Sequence, residues 1–176
     1  MIRPMKTPQT GFTMVELMVT LTIIGILAAV AGPSFVSTIN TSRLASQSNE
    51  LLALIQFARS EAIRSNSRVT FCGTAKENAS TEDDCDAGNQ PHWVVIGPDG
   101  QLRRFSVRSP VEVSTELEQV TFAADGLARE GGVLVAGDIT VCMETKRPAQ
   151  NRRVVEISSG SRVAITPAGD GEGTCP

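Results

Sequence analysis

Glu16 is the only charged side chain in an otherwise uncharged stretch, 12–36, and it follows closely on the junction Thr10-Gly11-Phe12-Thr13. A carboxylate in hydrocarbon costs about 2.5–3.5 kcal/mol on insertion scales, so it is kept there for a partner or a purpose. Cleavage before Phe12 would create such a partner, because a new main-chain amine would then stand beside Glu16. Three further groups could do chemistry. They are the cysteines Cys72, Cys85, Cys142 and Cys175, the acidic run 77–86, and the basic run Lys146, Arg147, Arg152, Arg153 and Arg162. His92 is the only histidine, and no nucleophile motif accompanies it. The chain is therefore not expected to be an enzyme, and neither a cofactor nor a metal is expected.

The element that must position Glu16 is a helix. Residues 12–36 would extend about 37 Å at about 1.5 Å per residue, enough to cross a bilayer. Thr20 and Thr22 interrupt the apolar run, and their hydroxyls can bond back to helix carbonyls. Arg3 and Lys6 are the only charged side chains ahead of it, which holds the N-terminus on the cytoplasmic side. The rival is an ordinary secretory signal peptide, cut after Ala29-Val30-Ala31 and before Gly32. Against it, the basic region would be long and would end in Glu16, a poor opening for a hydrophobic core. The helical pattern also runs on past Pro33.

Gly11-Phe12-Thr13-Met14-Val15-Glu16, followed by the apolar helix and Pro33, resembles the class III leader and first helix of type IV pilins and type II secretion pseudopilins. The resemblance implies removal of 1–11 by a prepilin peptidase and N-methylation of Phe12. It also implies pairing of Glu16 with the Phe12 amine, within one subunit or between neighbouring pilin subunits. Such a buried pair adds little net stability. Removing one partner strands the other at about 3–5 kcal/mol, so the pair sets register.

The chain has 176 residues, with 16 basic and 19 acidic side chains and a net charge of −3. Cleavage before Phe12 would leave 14 basic against 19 acidic, or −5, which is no global nucleic-acid signature. Beyond Pro33, which would kink or locally unwind the helix, Leu44, Leu51, Ile55, Ala58 and Ala62 recur on one helical face. Arg43, Arg59 and Arg64 fall off that face. Short strands then follow at 68–72, 93–96, 102–107, 111–113, 120–122, 139–143, 154–158 and 162–165. Gly97-Pro98-Asp99-Gly100 is a hairpin turn between two of them.

The expected fold is α+β: a long N-terminal helix packed on one mostly antiparallel sheet. Four segments compose it: leader 1–11, transmembrane and assembly helix 12–36, amphipathic helix 37–66, and β-rich domain 67–176. The helix end Leu52-Ala53-Leu54-Ile55-Gln56-Phe57-Ala58-Arg59-Ser60-Glu61-Ala62-Ile63 is similar to that of the GspH/FimT/FimU subgroup of minor pilins and pseudopilins. That resemblance implies a single-pass protein of the bacterial inner membrane, with its C-terminal domain in the periplasm, which also enters an extracellular pilus.

The four cysteines all lie on the side that would be outside the cytoplasm, where disulfides persist. They allow three pairings. Cys72–Cys85 would close the loop holding Glu77, Glu82, Asp83, Asp84 and Asp86, and Cys142–Cys175 would tie the C-terminal tail to a strand. Metal binding is the rival reading, but there is no Cys-x-x-Cys spacing. The acidic loop lacks the alternating ligands of a calcium loop and is expected to be solvated.

From 146 to 162 the five basic residues face only Glu156, a local excess of +4. Pro148-Ala149-Gln150-Asn151 reads as a turn. Lys146, Arg147 and Arg152 would crowd its tip, with Arg153 at a strand start and Arg162 on the next strand. Such a cluster can grip double-stranded DNA without sequence preference. It contains no aromatic residue, so base stacking on single strands is not indicated. A solvated face or a subunit contact is the plainer alternative. The resemblance adds weight to DNA, because FimT-type minor pilins are associated with DNA capture in natural transformation. Their Gly-Arg-x-Arg run is not reproduced here; Asn151-Arg152-Arg153 and Gly160-Ser161-Arg162 come nearest. A second basic group, Arg103, Arg104 and Arg108, would extend the surface only if it shared one face, and strand alternation divides Arg103 from Arg104.

The favoured reading is a minor type IV pilin at or near the pilus tip, contributing to DNA binding and uptake. Its rivals are a FimU-like structural subunit that primes assembly and a GspH-like pseudopilin of type II secretion.

Overall fold

A computed structural model describes residues 11–159 and 161–176, and for 29–33 the backbone only. Arg3, Lys6, Thr10 and Gly160 lie outside the described residues. So do the side chains of Ala29-Val30-Ala31, Gly32 and Pro33. The chain divides into two units, Met1–Val36 and Ser37–Pro176.

Helix α1 (Met14–Ser65) is a single element. No break separates the residues before position 33 from those after it, so the local unwinding expected there does not occur. In the first unit Thr20 Oγ1 donates to the Leu17 carbonyl at 2.9 Å and Thr22 Oγ1 to the Met18 carbonyl at 2.8 Å. The hydroxyls are thereby satisfied within the helix. Phe12, Met14, Val15, Leu17, Met18 and Leu21 are each more than half exposed in the isolated chain. Among the described residues no helix is long and apolar enough to cross a membrane. The stretch 12–36 includes the five positions, 29–33, whose side chains are not described.

In the second unit the expected stripe is the core. Leu44, Leu51, Ile55, Ala58 and Ala62 are completely buried, while Arg43, Arg59 and Arg64 are exposed. Among the described residues eleven strands follow the helix, and the core residues of several of them pack with the stripe. In chain order they are β1 (Val69–Thr74), β2 (Gly88–Asn89), β3 (His92–Gly97), β4 (Gly100–Ser106), β5 (Val111–Thr115), β6 (Val120–Phe122), β7 (Ala128–Glu130), β8 (Val133–Leu134), β9 (Gly137–Met143), β10 (Arg152–Ile157) and β11 (Val163–Ala168).

These strands form two sheets where one was expected: β4-β3-β1-β6-β7-β8 and β11-β10-β9-β5-β2. All pairings are antiparallel. The division does not follow chain order: β2 and β5 lie between strands of the first sheet in sequence yet join the second, where β5 pairs with β9 and β2. Both sheets contribute to one core. Phe71, Trp93, Val95 and Phe122 come from the first sheet; Val113, Ile139, Val141, Val155 and Ile157 come from the second.

The hairpin at 97–100 forms as its composition indicates. Gly97 pairs with Gly100 across Pro98-Asp99, and Gly100 takes a φ of 110°, which a side chain would oppose. Strand β1 departs from simple alternation, since all six of its residues are buried. Val69 and Phe71 join the main core, whereas Cys72 packs with Ala79, Val94 and Ile96 beneath the loop that follows β1. On that second face Thr70 Oγ1 donates to Glu82 Oε1 at 2.5 Å.

Both disulfides lie within the second unit, Cys72–Cys85 closing the loop after β1 and Cys142–Cys175 fastening the tail to β9. The tail lies against the β9–β10 connection, where a Cβ on Gly169 would collide with the Ala149 carbonyl and a Cβ on Gly173 would meet the Thr145 backbone at 2.6 Å. Asn151, fully buried, donates from Nδ2 to the Met143 carbonyl at 3.0 Å and the Thr174 carbonyl at 3.1 Å. Asn151→Ala leaves both carbonyls without that donor and is expected to cost about 1–3 kcal/mol. Urea unfolding with both disulfides intact measures this; an unchanged midpoint would show the tail contributes nothing.

Candidate functional site

The start of α1 is built by a cap. Thr13 precedes the helix, and its Oγ1 accepts the Glu16 amide hydrogen at 3.2 Å, while the Leu17 amide donates to the Thr13 carbonyl at 3.1 Å. Glu16 is thus the third residue of the helix, where a negative side chain also complements the helix dipole. Thr13-x-x-Glu16 is the spacing of a capping box, a signal present in the sequence that the membrane-charge argument passes over. In a full box the glutamate turns back toward the capping residue's own amide. Phe12 is the residue just before Thr13. Gly11, Phe12 and Glu16 are all exposed.

The basic residues are not one cluster. Strand β10 begins at Arg152, earlier than expected, because Arg152 is already paired in register with Cys142 and Ala168. Alternation then sends Arg152 and Arg153 to opposite faces of the sheet, Arg153 sharing its face with the core residues Val155 and Ile157. Arg152 belongs to the tail lock. Its Nη2 meets Asp170 Oδ2 at 2.6 Å and the Thr174 carbonyl at 3.0 Å. The Glu172 amide and then the Arg152 guanidinium hold the Asp170 carboxyl below its ordinary range.

Arg153 is half-buried and donates to the carbonyls of Gln150 and Arg152 at 3.2 and 2.8 Å. Lys146 and Arg147 are exposed beside the first turns of the second unit's helix, where Asn40 Nδ2 donates to the Arg147 carbonyl at 2.8 Å. Arg162 is not on a strand. It lies in the turn between β10 and β11, closed by the Ser158 amide on the Arg162 carbonyl at 2.9 Å. Arg59 Nη1 reaches the Ser161 carbonyl at 3.1 Å. Arg162 is therefore at the end of the domain where α1 stops, and Lys146 and Arg147 are at the other.

That far end carries more positive charge than the sequence run suggests. Arg59, Arg68 and Arg162 are exposed and make no salt bridge among the described residues. Arg68 and Arg129 line a cleft of about 540 Å³ with Glu82, Thr121 and Asp125. Arg129 grips Asp125 at 2.8 Å, and that bond with the Leu127 amide lowers the Asp125 carboxyl to about 2. The group Arg103, Arg104 and Arg108 is divided as alternation requires. Arg103 stands 5.2 Å over the Phe57 ring, Arg104 pairs with Glu77 at 3.2 Å, and Arg108 pairs with Glu50 at 3.4 Å.

The acidic loop is more ordered than a solvated run. Asp84 accepts from Lys76 Nζ at 2.5 Å and from the Ser80 and Thr81 amides at 2.9 and 3.3 Å, which hold its carboxyl well below the usual range. Among the described residues no group of His, Cys, Asp and Glu could hold a metal ion. His92 Nδ1 lies 3.0 Å from Ser106 Oγ, tying β3 to β4.

Comparison with known proteins gives two family matches. Residues 47–169 match the family of the type II transport protein GspH, and residues 6–32 match the prokaryotic N-terminal methylation motif. No curated protein matches the sequence. Among solved structures, the type IV minor pilin FimU of Pseudomonas aeruginosa (strain PAO1) is similar with a TM-score of 0.51 at 20% identity, over 72% of this chain and 90% of that one. The minor pseudopilin EpsH of the Vibrio cholerae type 2 secretion system is similar with a TM-score of 0.52 at 8% identity, over 73% and 99%. At these identities the likeness is one of fold.

The Asp125–Arg129 pair yields a pH prediction. A lowered carboxylate contributes order that is complete above the unfolded value of 3.8 and lost as pH falls toward about 2. Protection of the Leu127 amide against hydrogen exchange should hold down to that window and fall within it. In Asp125→Asn it should show no step there.

Proposed function

The chain belongs to the GspH family of minor pilins and pseudopilins, and we propose that it is an inner-membrane subunit whose helix 12–36 anchors it before assembly and enters a filament core afterwards. The observation that carries this is the methylation motif at 6–32, with Thr13 capping a helix that places Glu16 one turn from the Gly11–Phe12 bond. In this reading a prepilin peptidase removes 1–11, the Phe12 amine is methylated, and Glu16 pairs with it within the subunit or across to a neighbour. The exposed apolar side chains of the first unit support an element that is buried only in lipid or among other subunits.

The role is structural: the subunit helps prime a pilus, or serves as a minor pseudopilin in type II secretion. Loss of piliation on deletion supports the first, and loss of exoprotein export supports the second. Glu16→Gln should leave cleavage after Gly11 intact. If an assembled subunit then strands an unpaired amine at about 3–5 kcal/mol, incorporation into filaments falls by at least about a hundredfold. Shear fractionation with a wild-type control measures this, and normal incorporation of the variant would remove Glu16 from the account.

A second reading, capture of duplex DNA for uptake, is favoured by Arg59, Arg68 and Arg162 gathered at the far end, the end a tip-located subunit would present. Each phosphate contact adds about 0.9 to the salt slope of binding. Replacing the three arginines by alanine should weaken a mobility shift and lower that slope, while Arg152→Ala should not lower it. Unchanged affinity and slope in the triple variant would end the DNA reading.

A further inference from the structure

We propose that the other end of the domain is a landing surface for anionic phospholipid head groups, an inference that rests on the membrane-anchored reading above. Asn40, Arg43 and Gln47 lie on one face of the helix just beyond the apolar stretch 12–36. Two of them fasten distant connections there. Asn40 holds the Arg147 carbonyl at 2.8 Å, and Gln47 clasps the Arg108 backbone, accepting its amide at 2.9 Å and donating to its carbonyl at 2.8 Å. Gln47 is buried while making these bonds, so the arrangement is built into the fold.

The result is that Arg43, Arg108, Lys146 and Arg147 surround the first turns of the domain's helix, all four exposed. Arg108 shares its charge with Glu50 at 3.4 Å, and Glu144 is exposed nearby in sequence. Arg43, Lys146 and Arg147 make no salt bridge among the described residues.

Position along the chain decides what meets this charge. Asn40 follows the end of the apolar stretch by about 6 Å of helix rise, less than the Debye length of about 8 Å at physiological salt. Lys and Arg side chains there lie at head-group depth, where each favours an anionic over a neutral surface by about fivefold. Three of the four basic residues come from far along the sequence. Orientation in the membrane is set by charges close to the spanning segment in short loops, so Arg108, Lys146 and Arg147 can join this surface without opposing insertion. The surface would orient the domain on the bilayer while the subunit waits to assemble.

After cleavage before Phe12 the chain keeps only two lysines, Lys76 and Lys146, which provides a probe and an internal control. Lys76 is held by Asp84 in the loop after β1, with Asp83 and Asp86 beside it, a setting that anionic lipid would repel. The cleaved full-length chain is placed in nanodiscs of phosphatidylcholine alone or with phosphatidylglycerol, and acylation of each lysine is followed by mass spectrometry. Lys146 should react several-fold more slowly in the anionic discs, with protection lost at high salt and reduced in Arg43→Gln/Arg147→Gln; Lys76 should react equally in both. Equal reactivity of Lys146 in the two discs overturns the proposal while leaving anchoring intact. Protection by added duplex DNA in neutral discs, with none from lipid, overturns it in favour of a nucleic-acid surface. Failure of the chain to co-elute with either disc overturns the anchored reading and this proposal together.

Discussion

The structure depends on one constraint: a single helix must bury the stripe Leu44, Leu51, Ile55, Ala58 and Ala62, and it can do so only against β-structure from two sides. Full burial of aliphatic side chains of this size is worth about 1.5–3 kcal/mol each, more than any surface ion pair in the molecule can supply. Two antiparallel sheets enclose the stripe, and both disulfides fasten material on their outer sides. The helix then serves two environments. Its second part is covered by its own domain, and the described apolar side chains of its first part, Phe12, Met14, Val15 and Leu17 among them, are exposed.

Much of this was legible. A stripe at helical spacing survives any choice of sheet order, so the buried residues and the α+β class follow from periodicity alone. Turn chemistry located the 97–100 hairpin for a similar reason, because Gly97-Pro98-Asp99-Gly100 specifies a local geometry. The division into two sheets was not legible. It rests on β5 preferring β9 to β4, a choice made between residues far apart. Strands β2, β7 and β8 were missed because they are only two or three residues long and carry no alternating pattern.

The basic run shows the limit most clearly. Charge counting from 146 to 162 treats neighbours in sequence as neighbours in space. Along a strand they are not. Moving the start of β10 to Arg152 turns Arg152 and Arg153 to opposite faces and hands Arg152 to the tail, whose glycines at 169 and 173 admit the close approach. The length of β10 then separates Lys146 and Arg147 from Arg162. Two smaller basic surfaces result, each completed by arginines from elsewhere: Arg59 and Arg68 at one end, Arg43 and Arg108 at the other. Register decides this, and no composition window reports register.

Everything proposed for the first unit turns on whether the Phe12 amine exists. The most direct measurement is the N-terminal sequence and mass of the chain recovered from the membranes of its native host. The account predicts a mature chain that begins with N-methylated Phe12 and retains Glu16. A chain that begins at Gly32 would have lost Glu16 together with its helix, and would contradict the account.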